Sequence, residues 1–288
     1  MPVLPDAARG ALWMLFSACC YVSSATLMRG LGDAYSTFLL TFIRTLVAAV
    51  ILLPLFLRAG RGKLVPRRMG LIVLSSAFTY VGVLFWFYGA AHVPVANFFA
   101  LQFTTPLFTI LLATLILGQR NDPAAWVATI AGFAGVLIIL RPGLIPVSTG
   151  ALATLASCVA YASINTTVKS LSRDVSTIAI VFWTNLLIVP LAMPLAIANW
   201  QMPKNGDWLV ILAISVLTTV AFVTVTRAIS LADARIVQPV NFMRMPIGAL
   251  IGWLVFSTLP DLWTWIGALV IFVASTYAVS RGARHGSK

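Results

Sequence analysis

Apolar runs of about twenty residues follow one another along the whole chain, separated by short polar connections. One run, TFLLTFIRTLVAAVILLPLF at 37–56, carries a single charge, Arg44, within it. A helix of about 20 apolar residues rises far enough to cross about 30 Å of hydrocarbon. Scanned with a window of that length, the sequence shows ten such runs, at 10–29, 35–57, 69–91, 95–117, 123–141, 149–168, 175–198, 208–229, 235–257 and 262–280. The connections RAGRGKLVPRR, GQRNDP, RPGLIP, QMPKNGD and STLPD are rich in turn residues. The pattern predicts an all-α integral membrane protein with ten transmembrane helices.

Composition supports lipid as the solvent. The chain is 60% hydrophobic and 9% charged, where a soluble domain carries about 25% charged residues. A net charge of +12 in a soluble protein would point to nucleic acid, so the placement of the cations decides. With the N-terminus set inside, the inner ends hold Arg9, Arg58, Arg61, Lys63, Arg67, Arg68, Arg120, Lys169, Arg173, Arg227, Arg235, Arg281, Arg284 and Lys288, and the outer ends only Arg29, Arg141 and Lys204. That asymmetry predicts cytoplasmic N and C termini in the cell inner (plasma) membrane and no nucleic-acid partner. Trp13 and Trp126 fall near the inner interface, and Trp200, Trp208, Trp263 and Trp265 near the outer one, as amphipathic rings prefer. LFSAC at 15–19 resembles a lipoprotein cleavage site, but its apolar run continues to Met28, so it reads as an uncleaved helix. Cys19, Cys20 and Cys158 lie in apolar runs, with no zinc spacing and with His92 and His285 isolated, so no metal or cofactor is expected.

Shifting the chain by about 140 residues aligns it with itself. Gly10-Ala-Leu meets Gly150-Ala-Leu, Ser17 meets Ser157, Tyr21 meets Tyr161, Thr26 meets Thr166, Phe42 meets Phe182 and Pro54 meets Pro194. After small indels Pro106 meets Pro246 and Asp122-x-x-x-Trp126 meets Asp261-x-x-x-Trp265. A register held through helices and loops marks an internal repeat, divided at 1–143 and 144–288. Five spans per half is an odd number, so the second half is inverted in the membrane. Inverted repeats build secondary transporters, with the substrate near the midplane between halves.

GALWMLFSACCYVSSATLMRGL followed by FIRTLVAAVILLP, and ADARIVQPVNFMRMPIGALIGWLVFSTLPDLWTWIGALVIFVASTYAV near the end, resemble the drug/metabolite transporter (DMT) superfamily, EamA type. The size and the aromatic-rich third and fourth spans are similar to the YddG-type aromatic and neutral amino-acid exporters. The resemblance implies a five-plus-five inverted fold, a central cavity lined by spans one to four and six to nine, and export or exchange of small metabolites. Many members carry Gly-Glu after the fourth and ninth spans; this chain has Gly118-Gln119 and Ser257-Thr258.

The candidate site starts from two cations. Arg44 and Arg244 lie deep in spans two and nine, and an arginine at a helix centre costs about 2.5–3.5 kcal/mol to insert. No Asp or Glu lies near the middle of a span to pair with them. Either each guanidinium bonds carbonyls freed by Pro106, Pro239 or Pro246, or it faces a wet cavity and holds an anionic substrate group such as a carboxylate. Their repeat mates are Thr184 and about Thr104, so the charge is asymmetric. Asn97 and Gln102 in the fourth span, Gln238 and Asn241 in the ninth, and Asn185 in the seventh are amides at lipid depth, placed either for interhelical hydrogen bonds or for substrate. Tyr80, with Trp86 and Tyr88, and Trp183 offer flat apolar walls or plain packing. A nucleotide-binding GxxxxGK[ST] stretch is missing, and no buried nucleophile has a base, so neither ATP use nor an enzyme is expected. The expectation is a monomeric exporter of amino acids, working by facilitated diffusion or exchange because the pathway lacks a titratable group. Drugs, nucleobases or phosphorylated metabolites form the alternative cargo.

Overall fold

The computed structural model describes residues 6–58, 69–117, 123–141, 147–171, 177–231 and 240–285. Among these the elements are helices: α1 (Asp6–Leu31), α2 (Thr37–Arg58), α3 (Met69–His92), α4 (Val95–Gln102), α5 (Thr105–Leu117), α6 (Pro123–Leu140), α7 (Thr149–Leu171), α8 (Thr177–Ala198), α9 (Asn205–Leu231), α10 (Arg244–Phe256) and α11 (Leu262–His285). Apolar stretches long enough to span a bilayer occur in α1, α2, α3, α8 and α9, with shorter ones in α6, α7, α10 and α11. Leu57, Val127, Leu209, Leu254 and Trp263 are exposed, which suits a surface facing hydrocarbon and would be a liability in water.

The run at 95–117 is not one helix. It breaks at Phe103 and Thr104 between α4 and α5. Pro106 lacks the N–H that would bond Gln102, and it disfavours helical geometry at Thr105. Hydroxyls take over the freed carbonyls: Thr105 Oγ1 donates to the Gln102 carbonyl at 2.8 Å, Thr104 Oγ1 to Leu101 at 2.8 Å, and Ser275 Oγ from α11 to Phe103 at 2.9 Å. The second half repeats the device. Helix ends at Asn241, Phe242 and Met243 form a turn, and α10 resumes at Arg244 ahead of Pro246. The two breaks meet, with the Phe103 and Phe242 rings 5.0 Å apart.

Helices of one half pack mainly on helices of the other. α1 lies along α9 and α3 along α7; α2 pairs with α8, α4 with α10 and α6 with α11. First meets third and third meets first, while like meets like elsewhere, which is the pattern of a twofold exchange between halves. The largest core cluster draws Val22, Leu39, Phe87, Phe98 and Ile211 from five helices. Two inter-half seams are held tight by glycine. A Cβ on Gly89 would stand 2.4 Å from Thr154 Oγ1, and one on Gly267 would stand 2.7 Å from the Gly135 carbonyl oxygen. Small residues permit this backbone approach, which is how helices associate where lipid removes the hydrophobic drive.

Polar contacts tie the helix ends on the α1–α2 turn side. Tyr35 donates to Asp207 at 2.5 Å and accepts from the Lys204 amide at 3.0 Å. His92, expected from sequence as an isolated residue, pairs with Asp33 at 2.9 Å, accompanies the Tyr88 carbonyl at 2.8 Å and stacks on the Tyr88 ring. Ser257 ends α10 in the left-handed region at φ 54°, with its N–H bonded to Trp253. The Gly-Glu pattern would place glycine here at no steric cost.

Asp261 caps α11, accepting the Thr264 amide at 3.0 Å, and pairs with Arg141 at the end of α6. Burial pushes its carboxyl up, but the Thr264 hydroxyl and amide together with Arg141 outweigh that and hold it below the usual carboxylate value. A depressed folded value gives stability that is complete at neutral pH and is lost as pH falls through it. Asp261→Ala is expected to cost about 1 kcal/mol, as lost N-caps do. The difference from wild type, read from thermal unfolding in detergent, should shrink toward acid pH.

Candidate site between the two halves

Arg44 is the eighth residue of α2, about 10 Å along the axis from its start at Thr37. Its Nε donates to Thr218 Oγ1 of α9 at 3.3 Å, while one terminal nitrogen, NH1, is buried with no hydrogen-bond partner. Arg244 opens α10, just past the second break. Its guanidinium carbon lies 4.4 Å from the centre of the Tyr21 ring of α1, and its Nε is buried with no partner. Both cations act electrostatically on Tyr21, and Arg44 acts on Tyr161 of α7 as well. The Tyr21 ring lies 6.3 Å from Trp86 of α3, which meets Phe98 of α4 edge-on at 5.1 Å. Tyr161 lies against Gly82 of α3. Helices α1, α2, α3, α7, α9 and α10 thus bring two arginines and an aromatic wall together.

The electrostatics favour an anion or a strong acceptor. The start of α10 presents the positive end of a helix dipole beside the Arg244 cation. The carbonyls freed at the first break are taken by Thr104, Thr105 and Ser275, and the described hydrogen bond of Arg44 goes to a hydroxyl. Buried guanidinium N–H groups without acceptors carry an unmet desolvation cost. An incoming carboxylate or planar carbonyl pair would offset it.

Other sequence candidates fall in several places. Asn97 and Asn241 each keep a buried, unpartnered amide oxygen, Asn241 just before the break that Arg244 follows. Gln102 donates to Ser157 Oγ of α7 at 2.8 Å, an interhelical bond. Asn185 donates to its own helix at Val181, 2.9 Å, and leaves its oxygen unpartnered. Tyr80 is buried against Ile188 and Ala192 of α8, its hydroxyl unpartnered. Trp183 joins an aromatic cluster with Phe56 and Phe182, 6.1 and 6.0 Å away, near the far end of α2. Gln238 lies outside the described residues, as do Gly118 and Gln119. Tyr21, Tyr161 and Thr218 were not among the candidates. Tyr21 and Tyr161 did stand out as repeat mates, and that was the signal available for them. A separate groove of about 450 Å³ between α6 and α11, lined by Val127, Ala131, Leu269, Val273 and Tyr277 among others, is apolar and holds none of these groups.

The EamA-like transporter family matches twice, at residues 8–141 and 148–280. A riboflavin transporter of Vibrio cholerae is 32% identical over 275 residues, covering 93% of this chain and 92% of the relative. An S-adenosylmethionine uptake transporter of Rickettsia prowazekii is 24% identical, covering 97% of both chains. The pseudopaline exporter CntI of Pseudomonas aeruginosa is 28% identical, covering 82% and 83%. A solved crystal structure shares the fold with a TM-score of 0.61 at 19% identity, covering 95% of this chain and 94% of that one. These relatives are transporters rather than enzymes, and none of the three is named for an amino acid. With two family matches spanning nearly its whole length, a helical fold and apolar helices long enough to cross a bilayer, the chain is a membrane protein of the EamA-like transporter family.

Proposed function

We infer that the protein is a secondary transporter of the inner (plasma) membrane. It moves a flat heteroaromatic metabolite that carries a planar acceptor or carboxylate. The observation behind this is the pair of guanidiniums with buried, unpaired N–H groups beside Tyr21, Trp86 and Tyr161. Riboflavin and S-adenosylmethionine, the cargoes named for two relatives, each combine a heteroaromatic ring with such a group. In this reading the chain crosses the membrane ten times with both termini cytoplasmic. The halves 1–143 and 144–288 are inverted, and a monomer alternates access around the midplane site. A second reading, export of aromatic or neutral amino acids, draws on Asn97 and Asn241, whose unpartnered oxygens could accept from an ammonium group. The relatives include both uptake proteins and an exporter, so direction follows the gradient in a facilitated or exchange mechanism.

The test is flux of labelled riboflavin, S-adenosylmethionine, tryptophan and phenylalanine in liposomes holding the full chain. Saturable riboflavin flux ahead of the amino acids is the expected result. Flux of tryptophan and phenylalanine without riboflavin would reverse the order of the two readings, and no saturable flux of any member would remove both. Accumulation driven by an imposed pH step alone would overturn the facilitated mechanism.

A further inference from the structure

Tyr21 and Tyr161 are repeat mates, but they are loaded differently. Of the two, Tyr21 alone carries a guanidinium over its ring among the described residues. Arg244 stands where the first half has about Thr104, whose hydroxyl is already spent on the Leu101 carbonyl. Stacking occupies the face of a guanidinium and leaves its donors free, because all of them lie in the plane of the group. The Arg244 guanidinium carbon sits over the Tyr21 ring, 4.4 Å from its centre, so the contact is made through the ring face. The Nε–H on its edge is buried and has no acceptor, and the buried NH1 of Arg44 also lacks one. Both cations act on the same phenol.

We propose that Tyr21 is the positioning residue of the anion subsite: its ring fixes the plane of the Arg244 guanidinium and so offers the Nε edge to a planar two-oxygen group on the substrate. The inference rests on the function proposed above. It deepens that reading by giving the substrate an orientation, with the acceptor end at Tyr21 and the remainder of the ring system along Trp86 toward Tyr161. The π face matters here and the phenol hydroxyl does not, so phenylalanine should substitute and an aliphatic residue should not.

The test uses two probes with one ring system, indole-3-acetate and indole-3-acetamide, bound to the full chain in lipid nanodiscs. Wild type is expected to prefer the carboxylate by about tenfold, the step from a neutral to a charge-assisted contact. Tyr21→Phe should keep that ratio within about twofold, and Tyr21→Leu should bring it close to one. A wild type that binds both probes alike removes the anion subsite and overturns the inference, while the functional reading then stands or falls on the riboflavin flux in liposomes. A wild-type preference that survives in Tyr21→Leu, or is lost in Tyr21→Phe, overturns the inference and leaves the subsite standing. If Tyr21→Leu does not give folded protein, Arg244→Lys carries the test, since lysine keeps the charge and lacks the planar edge. A retained preference there overturns the inference equally.

Discussion

Glutamine at both 44 and 244 is expected to abolish specific flux while leaving the protein as stable as wild type or more so. Each guanidinium offers a hydrogen bond to a charged group, and such bonds contribute about 1.5–3 kcal/mol. Losing two of them costs about 3–6 kcal/mol of substrate affinity, or about two to four orders of magnitude. The stability side has the opposite sign. A buried arginine costs about 2.5–3.5 kcal/mol on insertion scales. Arg44 recovers part of that through Thr218, and Arg244 through the Tyr21 face, yet each keeps a buried nitrogen with no partner. If the arginines serve the substrate, the double variant loses flux and its unfolding temperature holds or rises. If they serve the fold, unfolding temperature falls and the surviving molecules still transport. Measuring flux and thermal unfolding on one preparation separates the two outcomes.

The sequence revealed most of the scaffold because each span must satisfy its backbone internally, which forces long apolar helices onto the pattern. The expected runs at 10–29, 69–91 and 175–198 correspond to α1, α3 and α8 within a few residues. The break between α4 and α5 was not legible from hydropathy, because apolar residues continue through Phe103. Pro106 alone also fits a kinked but continuous helix. What decides for a break is tertiary: Ser275, far away in sequence, supplies the donor for the Phe103 carbonyl. The site shows a similar division. Arg44 and Arg244 were visible as charges where apolar residues belong, whereas Tyr21 was marked only as the repeat mate of Tyr161 until Arg244 was placed over it. Residue type did not tell which amides find partners across helices. Gln102 finds a partner across α7, while Asn97 and Asn241 keep unpartnered oxygens. His92 stood isolated in sequence because its partner Asp33 lies in a different turn, brought near by the packing of α3 beside α1.

Gly267→Ala is expected to be the most damaging single-methyl change at the α6–α11 seam. The added Cβ would stand 2.5 Å from Ile139 Cγ1 and 2.7 Å from the Gly135 carbonyl oxygen. A side chain can rotate away, but a carbonyl oxygen moves only with its helix, so the two helices must separate. Gly135 answers it from the other side, where a Cβ would stand 2.9 Å from the Gly267 carbonyl oxygen. Overpacking costs about 1–3 kcal/mol, and here it would be relieved only by giving up the contact that joins the last helices of the two halves. Gly132→Ala is a graded comparison. Its Cβ would approach Leu107 Cδ1 to 2.2 Å, but that atom is the end of a flexible side chain, so the loss should be smaller. Gly206→Ala meets nothing within 4 Å and should hold stability or raise it by about 0.4–1 kcal/mol through the unfolded state. The expected order of unfolding temperatures, measured in one detergent, is Gly206→Ala highest, then Gly132→Ala, then Gly267→Ala. A Gly267→Ala protein as stable as wild type would mean that the α6–α11 seam parts at no cost, and the backbone contact between Gly135 and Gly267 would not be what joins the halves there.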